Sequence, residues 1–88
     1  MKLIIAILRD VDNDPVSHAL TEEKFRVTCI ASTGGFLRRG QSTLLAGVED
    51  DQVEQALGII RKEVSQTENS DTRRAVLFVV NVDQFIQF

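Results

Sequence analysis

The chain has 88 residues, a formal net charge of −3, one histidine and one cysteine. This length predicts one small domain spanning residues 1–88, with a core of limited size. The acidic balance argues against general nucleic-acid binding, which requires a basic surface, and a lone cysteine excludes a disulfide framework and a thiolate metal site.

The first element is an unbroken apolar run from Leu3 to Leu8, which is typical of a strand buried on both faces. The run is too short to span a membrane and lacks the small-residue cleavage site of a signal peptide, so we predict a cytoplasmic protein. Asp14 and Pro15 then predict the start of a short helix, with Asp14 as its N-cap and Pro15 at the first helical position.

From Phe25 the hydrophobic period changes to two, which predicts a strand. The alternation predicts two faces, the first with Phe25, Val27, Cys29 and Ala31 and the second with Arg26, Thr28, Ile30 and Ser32. Cys29 is predicted to be a buried and unreactive thiol. A further strand is predicted from Ser42 to Val48, in which Gly47 indicates a bulge or a close backbone approach.

The second half of the chain repeats the same order of elements. Acidic residues at 49–51 precede a longer helix, and their negative charges interact favourably with the positive end of its dipole. The predicted buried stripe of this helix is Val53, Ala56, Leu57, Ile60 and Val64. Residues 65–72 contain no hydrophobic residue and predict a solvated loop, and Ala75 to Val82 predicts the last strand. Phe78, judged alone, is predicted to be a core residue, and Phe85 and Phe88 are predicted to anchor the tail onto the domain or a neighbour.

The order strand, helix, strand, strand, helix, strand predicts an α+β fold, the ferredoxin-like βαββαβ sandwich. Such a fold has a four-stranded antiparallel sheet with two helices on one face. Because the first and last strands are apolar on both faces, the uncovered face would expose a large apolar patch. We therefore predict a closed homo-oligomer with ligand sites in the clefts between its subunits.

The segment between the second and third strands carries the most distinctive chemistry of the chain. Gly34 and Gly35 can form a concavity of backbone N–H groups, the nearby arginines suit phosphate, and Phe36 offers a face for a nucleobase. Arg26 and Thr28 project from one face of the preceding strand and could grip a phosphate together. The pattern favours a cradle for phosphate and base. The alternative is an ordinary glycine-rich hairpin loop beside a strand with polar surface residues.

No catalytic constellation is present in the sequence. The single histidine, His18, lacks a nucleophile partner and metal-ligand spacing, and is predicted to be a solvated helix residue. The glycine-rich segment also lacks the lysine of a phosphate-binding P-loop. We predict a binding protein without a catalytic residue, metal site or cofactor, rather than an enzyme.

Motifs along nearly the whole chain carry a resemblance to a known family. They are Phe25-Arg26 with Thr28, then Thr33-Gly34-Gly35-Phe36-Leu37-Arg38, Gly47-Val48, Val82-Asp83 and the closing Gln87-Phe88. With them the chain resembles the PII-like cyclic di-AMP receptor proteins of bacteria, relatives of the nitrogen-regulatory PII trimers. The resemblance implies a homotrimer that binds cyclic di-AMP in inter-subunit clefts and signals to a downstream protein, which the sequence does not name. The ligand residues that it implies are Arg26, Thr28, Gly35, Phe36, Leu37, Gln41, Gly47, Phe78 and Gln87.

The sequence departs from the pattern of that family at one position and in the length of one region. Gln41 stands where the family usually has an asparagine that hydrogen-bonds an adenine, and it keeps the amide on a longer stem. The region between the second helix and the last strand, roughly Ser65–Arg74, is much shorter than in the family, where it is thought to relay ligand binding. A second hypothesis therefore stays open, a trimeric structural or adaptor protein of the metal-tolerance type with a vestigial pocket or a different adenine nucleotide.

Overall fold

A computed structural model describes residues 1–32, 40–65 and 75–88 of the chain. Its elements in chain order are β1 (Lys2–Arg9), α1 (Asp10–Glu22), β2 (Arg26–Ser32), β3 (Gln41–Val48), a 3-10 turn (Asp50–Gln52), α2 (Val53–Ser65) and β4 (Ala75–Asn81). This is the order that the hydrophobic patterns predict. The centre of the predicted glycine-rich cradle and nearly all of the predicted solvated loop lie outside the described residues.

The four strands form one sheet in the order β2-β3-β1-β4, and each neighbouring pair is antiparallel. β1 and β3 are therefore the central strands, and β2 and β4 are the edges. Together with the two helices, this topology confirms the predicted α+β class and is consistent with a ferredoxin-like fold.

The core lies between the sheet and the two helices. Successive side chains of a strand point to opposite faces, so every second residue of β1 and β3 faces the helices. The buried residues of the two strands are Ile4, Ala6, Leu8, Leu44, Ala46 and Val48. Val16 and Leu20 of α1 and Ala56, Ile60 and Val64 of α2 close this core from the other side. The predicted stripe of α2 is confirmed, with Val53 and Leu57 partly buried at its margin.

The opposite face of the sheet carries neither helix, and we call it the open face. Its residues, read from the strand register, include Leu3, Ile5 and Ile7, Arg26 and Thr28, Gln41, Thr43, Leu45 and Gly47, and Val76, Phe78 and Val80. Phe78 is 52% exposed there, so its prediction as a core residue is wrong. The reason is its place on the uncovered face of an edge strand. Phe85 and Phe88 are also exposed and do not anchor the tail within one copy.

The start of α1 differs from the prediction. The helix begins at Asp10, with Arg9 in extended conformation as its N-cap, and Pro15 lies inside it. Asp14 is therefore not the cap. The carboxylates of the first turn, those of Asp10 and Asp12, are both buried. Asp10 accepts from Ser42 on β3, a partner that local sequence does not reveal, and Asp12 accepts from Arg9, three residues earlier. Pro15 costs the helix one backbone hydrogen bond.

Two predictions on the paired strands β2 and β3 are also corrected. Cys29 is exposed rather than buried, because it lies on an edge strand that α1 covers only in part. A register shift occurs between Cys29 and Ala31, so Ala31 pairs with Thr43 and the predicted strict alternation ends there. Gly47 lies in regular register with Leu3 and Arg26, so the bulge is not at the glycine.

The turn between α1 and β2 contains a residue whose backbone is strained. Lys24 has a φ of 70°, in the left-handed region, and this conformation costs a non-glycine residue about 1–2 kcal/mol. We expect Lys24→Gly to raise the free energy of unfolding by about 1 kcal/mol or less, since glycine also gains entropy in the unfolded chain. Urea denaturation would measure it. Glu23→Gly is the matched control, because Glu23 has a φ of −90° and its replacement should destabilise the protein.

Candidate functional site

A groove of about 720 Å³ lies on the open face, where β1 begins and β3 ends. We call it the open-face groove. Its lining residues are Met1, Leu3, Arg26, Thr28, Leu45, Gly47, Val82, Phe85, Ile86 and Gln87. The volume lies within the range of roughly 300–1,000 Å³ that is usual for small-molecule sites. Most of the lining is apolar, with a few polar groups at one side, which is the usual composition of a site for an organic ligand.

The polar side of the groove comes from β2. Arg26 pairs with Gly47 and Thr28 pairs with Leu45, so both side chains lie on the open face two residues apart. Both are exposed. Arg26 takes part in none of the ion pairs formed within residues 1–32, 40–65 and 75–88. A guanidinium and a hydroxyl at this spacing can donate several hydrogen bonds to one anionic group, such as a phosphate.

Gly47 forms part of the groove between Leu3 and Arg26. A Cβ atom at this position would lie 3.1 Å from Cε of Met1, which is closer than an ordinary van der Waals contact. The predicted close approach at Gly47 therefore exists, but it involves a side chain instead of a backbone. A larger residue at this position would occupy part of the groove and displace the methionine side chain.

The apolar side of the groove comes from the tail after β4. The Val82 N–H donates to the Met1 carbonyl oxygen at 3.1 Å, and the Lys2 ammonium donates to the Asn81 side chain, which fixes where the tail leaves the sheet. The amine of Met1 lies 2.9 Å from an oxygen of Asp50. The hydrogen bond and the positive charge of this amine lower the pKa of the Asp50 carboxyl. These contacts hold the start of β1 against the tail on one side and against the 3-10 turn on the other.

A second cavity, of about 260 Å³, lies between α1 and α2. Three carboxylates, those of Glu22, Glu23 and Glu63, line it together with a single cation, Lys62. An anionic ligand would be repelled there, whereas the described lining of the open-face groove contains Arg26 and no carboxylate. Electrostatics therefore favours the open-face groove for a phosphate-containing molecule.

The structure brings together four of the nine predicted ligand residues, namely Arg26, Thr28, Gly47 and Gln87. Gln41 and Phe78 lie on the open face but away from the groove. Gln41 is six residues from Gly47 along β3, about 20 Å, and Phe78 lies beyond β1, about 10 Å from Leu45 on β3. The remaining three, Gly35, Phe36 and Leu37, lie outside the described residues.

Several lining residues were missed by the sequence reasoning. Leu3 and Leu45 could have been found, because each belongs to the apolar alternation that leaves one face of the sheet uncovered. Phe85 was predicted only to anchor the tail, whereas it forms one wall of the groove together with Ile86, for which no role was predicted. Nothing in the sequence indicates Met1, whose place depends on its contacts with Gly47 and Val82.

The part of the chain that the structure describes holds neither a cluster of metal ligands nor a helix suited to a membrane. Within it, no group of three or more histidine, cysteine, aspartate or glutamate residues could hold a metal ion. His18 is exposed and lies 3.2 Å from Glu22 on the next helical turn. Neither α1 nor α2, the helices of the described ranges, has the length and apolar character needed to cross a membrane.

Comparison with known proteins gives a family and a structural relative. The family model described as cyclic-di-AMP receptor matches residues 1–74, which include β1 to α2 but not β4 or the tail. The chain is also similar to a functionally unknown protein from Pediococcus pentosaceus ATCC 25745, which has a crystal structure. The two sequences are 33% identical, and the two structures superpose with a TM-score of 0.80. That match covers 99% of this chain and 96% of the other, so the two are nearly equal in length. The chain therefore belongs to the cyclic-di-AMP receptor family.

Proposed function

We propose that this protein is a PII-like signal-transduction protein that binds cyclic di-AMP in the clefts between the subunits of a homotrimer, without catalysing a reaction. The observation that carries the proposal is the open-face groove, which brings Arg26, Thr28, Gly47 and Gln87 together in a member of the cyclic-di-AMP receptor family. Binding is the role of a receptor, and the proposal assigns no chemical step to any side chain.

The chemistry of the groove supports a cyclic dinucleotide. Arg26 and Thr28 supply a positive charge and a hydroxyl for one phosphate, and the apolar lining, including Phe85, suits a purine face. Gly47 leaves room beside the polar pair. Gln87 lines the same groove, and its side-chain amide can donate a hydrogen bond to a base or accept one from it. We also include Gly35, Phe36 and Leu37 in the proposed site, and the only support for these three residues is the sequence motif.

The positions of Gln41 and Phe78 support an assembly. Both lie on the open face outside the groove of their own copy, so in the proposed trimer a neighbouring subunit brings them to the ligand. The open face is apolar, and Phe78 and Val80 are exposed on it in one copy. Soluble monomers rarely expose a large apolar patch, so burial of this face against other copies is the simplest arrangement.

Isothermal titration calorimetry of the purified protein with cyclic di-AMP, cyclic di-GMP and ATP tests the ligand. We expect cyclic di-AMP to bind with one molecule per subunit and more tightly than the other two nucleotides. Native mass spectrometry with and without the ligand gives the subunit number, with three expected. Absence of binding heat with all three nucleotides would rule out the proposed function.

A second candidate is a trimeric structural or adaptor protein whose groove is vestigial or takes another adenine nucleotide. The observation that favours it is the short connection between α2 and β4, residues 66–74. The similar protein from Pediococcus pentosaceus has nearly the same length, so it has no long insertion there either. Under this alternative the protein would be trimeric, and its thermal unfolding temperature would not change with cyclic di-AMP, whereas a specific ligand stabilises the folded state by mass action.

A further inference from the structure

A buried polar cluster lies beside the point where β1, α1 and β3 meet. Asp10, Asp12 and Ser42 are almost completely inaccessible to solvent. The Ser42 hydroxyl donates to a carboxylate oxygen of Asp10, and the Asp10 N–H donates to the Gly40 carbonyl oxygen at 3.0 Å. Arg9 donates through Nε to Asp12 at 3.2 Å. None of these residues lines the open-face groove.

Burial of these polar groups is energetically unfavourable compared with burial of apolar residues. A buried carboxylate loses its hydration, and replacing buried ionic groups by well-packed apolar residues is often neutral or stabilising. Serine at a completely buried position likewise requires a hydrogen-bond partner. Groups of this kind contribute a defined geometry, because hydrogen bonds are directional and apolar contacts are not.

The geometry that the cluster defines concerns the start of β3. Asp10 contacts Gly40 through its backbone and Ser42 through its side chain, so it holds the residues on both sides of Gln41. Gln41 itself is paired with Arg9 across the sheet, and Arg9 is held by Asp12. The predicted adenine-binding amide is therefore attached to a backbone segment that is fixed at three neighbouring positions.

We propose that Asp10 and Ser42 are positioning residues, which hold Gly40 and Gln41 so that the Gln41 amide meets the nucleobase of a ligand in one orientation. The inference rests on the proposed function for the identity of the ligand. The positioning itself does not require a ligand, so it can be tested separately. It also gives a reason for the tolerance of glutamine at this position, since a fixed backbone offsets the freedom of a longer side chain.

The first experiment is done on the ligand-free protein. Ser42→Ala removes the hydroxyl and leaves a cavity of only one atom. We expect its ¹H–¹⁵N spectrum to show broadened or doubled signals for the Gly40 backbone amide and the Gln41 side-chain amide, while the signals of α2 and β4 stay in place. Ser17→Ala is the matched control, because Ser17 also donates a side-chain hydrogen bond, to Asn13 at 3.2 Å, away from this cluster.

The second experiment measures cyclic di-AMP affinity of the same variants by calorimetry. We expect Ser42→Ala to bind about tenfold more weakly, because a Gln41 amide without one fixed orientation would lose most of its hydrogen bonding to the base, and Ser17→Ala to bind like the unchanged protein. Asp10→Asn retains an oxygen that can accept from Ser42, and it should restore both the sharp signals and most of the affinity relative to Asp10→Ala.

The two proposals fail in different ways. If the unchanged protein does not bind cyclic di-AMP, the proposed function fails, while the Gly40 and Gln41 signals still decide whether Asp10 and Ser42 position this segment. If the unchanged protein binds but Ser42→Ala keeps sharp signals and full affinity, the positioning role is refuted and the proposed function stands. Loss of dispersed signals throughout the Ser42→Ala spectrum would indicate a general structural role and would also refute it.

Discussion

Replacement of Arg26 by alanine is expected to weaken cyclic di-AMP binding by about 1.5–3 kcal/mol, which is roughly 10- to 150-fold in Kd. The reason is that Arg26 carries the one cationic side chain among the described residues that line the open-face groove, and the amine of Met1 is already paired with Asp50. Without it, a phosphate in the groove would lose its charge-assisted hydrogen bonds and keep only neutral donors. Calorimetry would give the change in Kd directly.

Two further variants sharpen this test. Arg26→Lys keeps the charge but not the planar fork that contacts two phosphate oxygens, so its affinity should lie between those of the alanine variant and the unchanged protein. Arg61→Ala is the matched control, because Arg61 is an exposed arginine on α2, in the helical layer on the other side of the sheet. Equal affinities for the Arg26→Ala and Arg61→Ala variants would contradict a role of Arg26 in binding.

The second large effect is expected on assembly, from an aspartate placed on the open face. Val80 and Val79 are neighbours on β4 and are almost equally exposed, 40% and 41%, but they lie on opposite faces of the sheet. Val80 shares the open face with Leu3, and Val79 shares the helix-facing side with Ile4. If open faces are buried against one another, Val80→Asp would place an unpaired carboxylate in the interface, at a cost of several kcal/mol per subunit.

We therefore expect Val80→Asp to convert the proposed trimer to monomers at micromolar concentration, with its circular dichroism spectrum unchanged. Val79→Asp reduces the β-propensity of the strand as much as Val80→Asp does, but we expect this variant to remain trimeric. Sedimentation velocity measures both. A trimeric Val80→Asp variant would show that the open face is not the interface, and dissociation of both variants would point to the edge of β4 instead.

The sequence predicts the fold of this chain well because its local patterns and its topology agree. Unbroken apolar runs predicted the two strands that pair with each other, β1 and β4, and the acidic residues at 49–51 marked the boundary between β3 and α2. The structure confirms these elements to within one or two residues. The predicted start of α1 was wrong because a local capping pattern at Asp14 competed with the tertiary contact between Asp10 and Ser42 on β3, and tertiary contacts override local preference.

The candidate site could be predicted only in part, for a physical reason. Arg26 and Thr28 were found because alternation in a strand places residues two apart on one face. Gly47 was found because glycine within a strand indicates crowding. Phe85 and Met1 were not found, because their places depend on where the tail crosses the start of β1, and no local periodicity describes that crossing. Which copy supplies Gln41 and Phe78 depends on assembly, which a single chain does not contain.

The exposure of Cys29 has a practical consequence for following this protein in solution. It is the sole cysteine of the chain, so a maleimide dye would attach at one defined atom. Cys29 pairs with Leu44, so it lies on the face of the sheet that carries the helices. The preceding residue, Thr28, lies on the opposite face and lines the groove. A fluorophore there would lie close to the groove without blocking entry to it. In the proposed trimer, energy transfer between dyes on different copies would measure how fast subunits exchange.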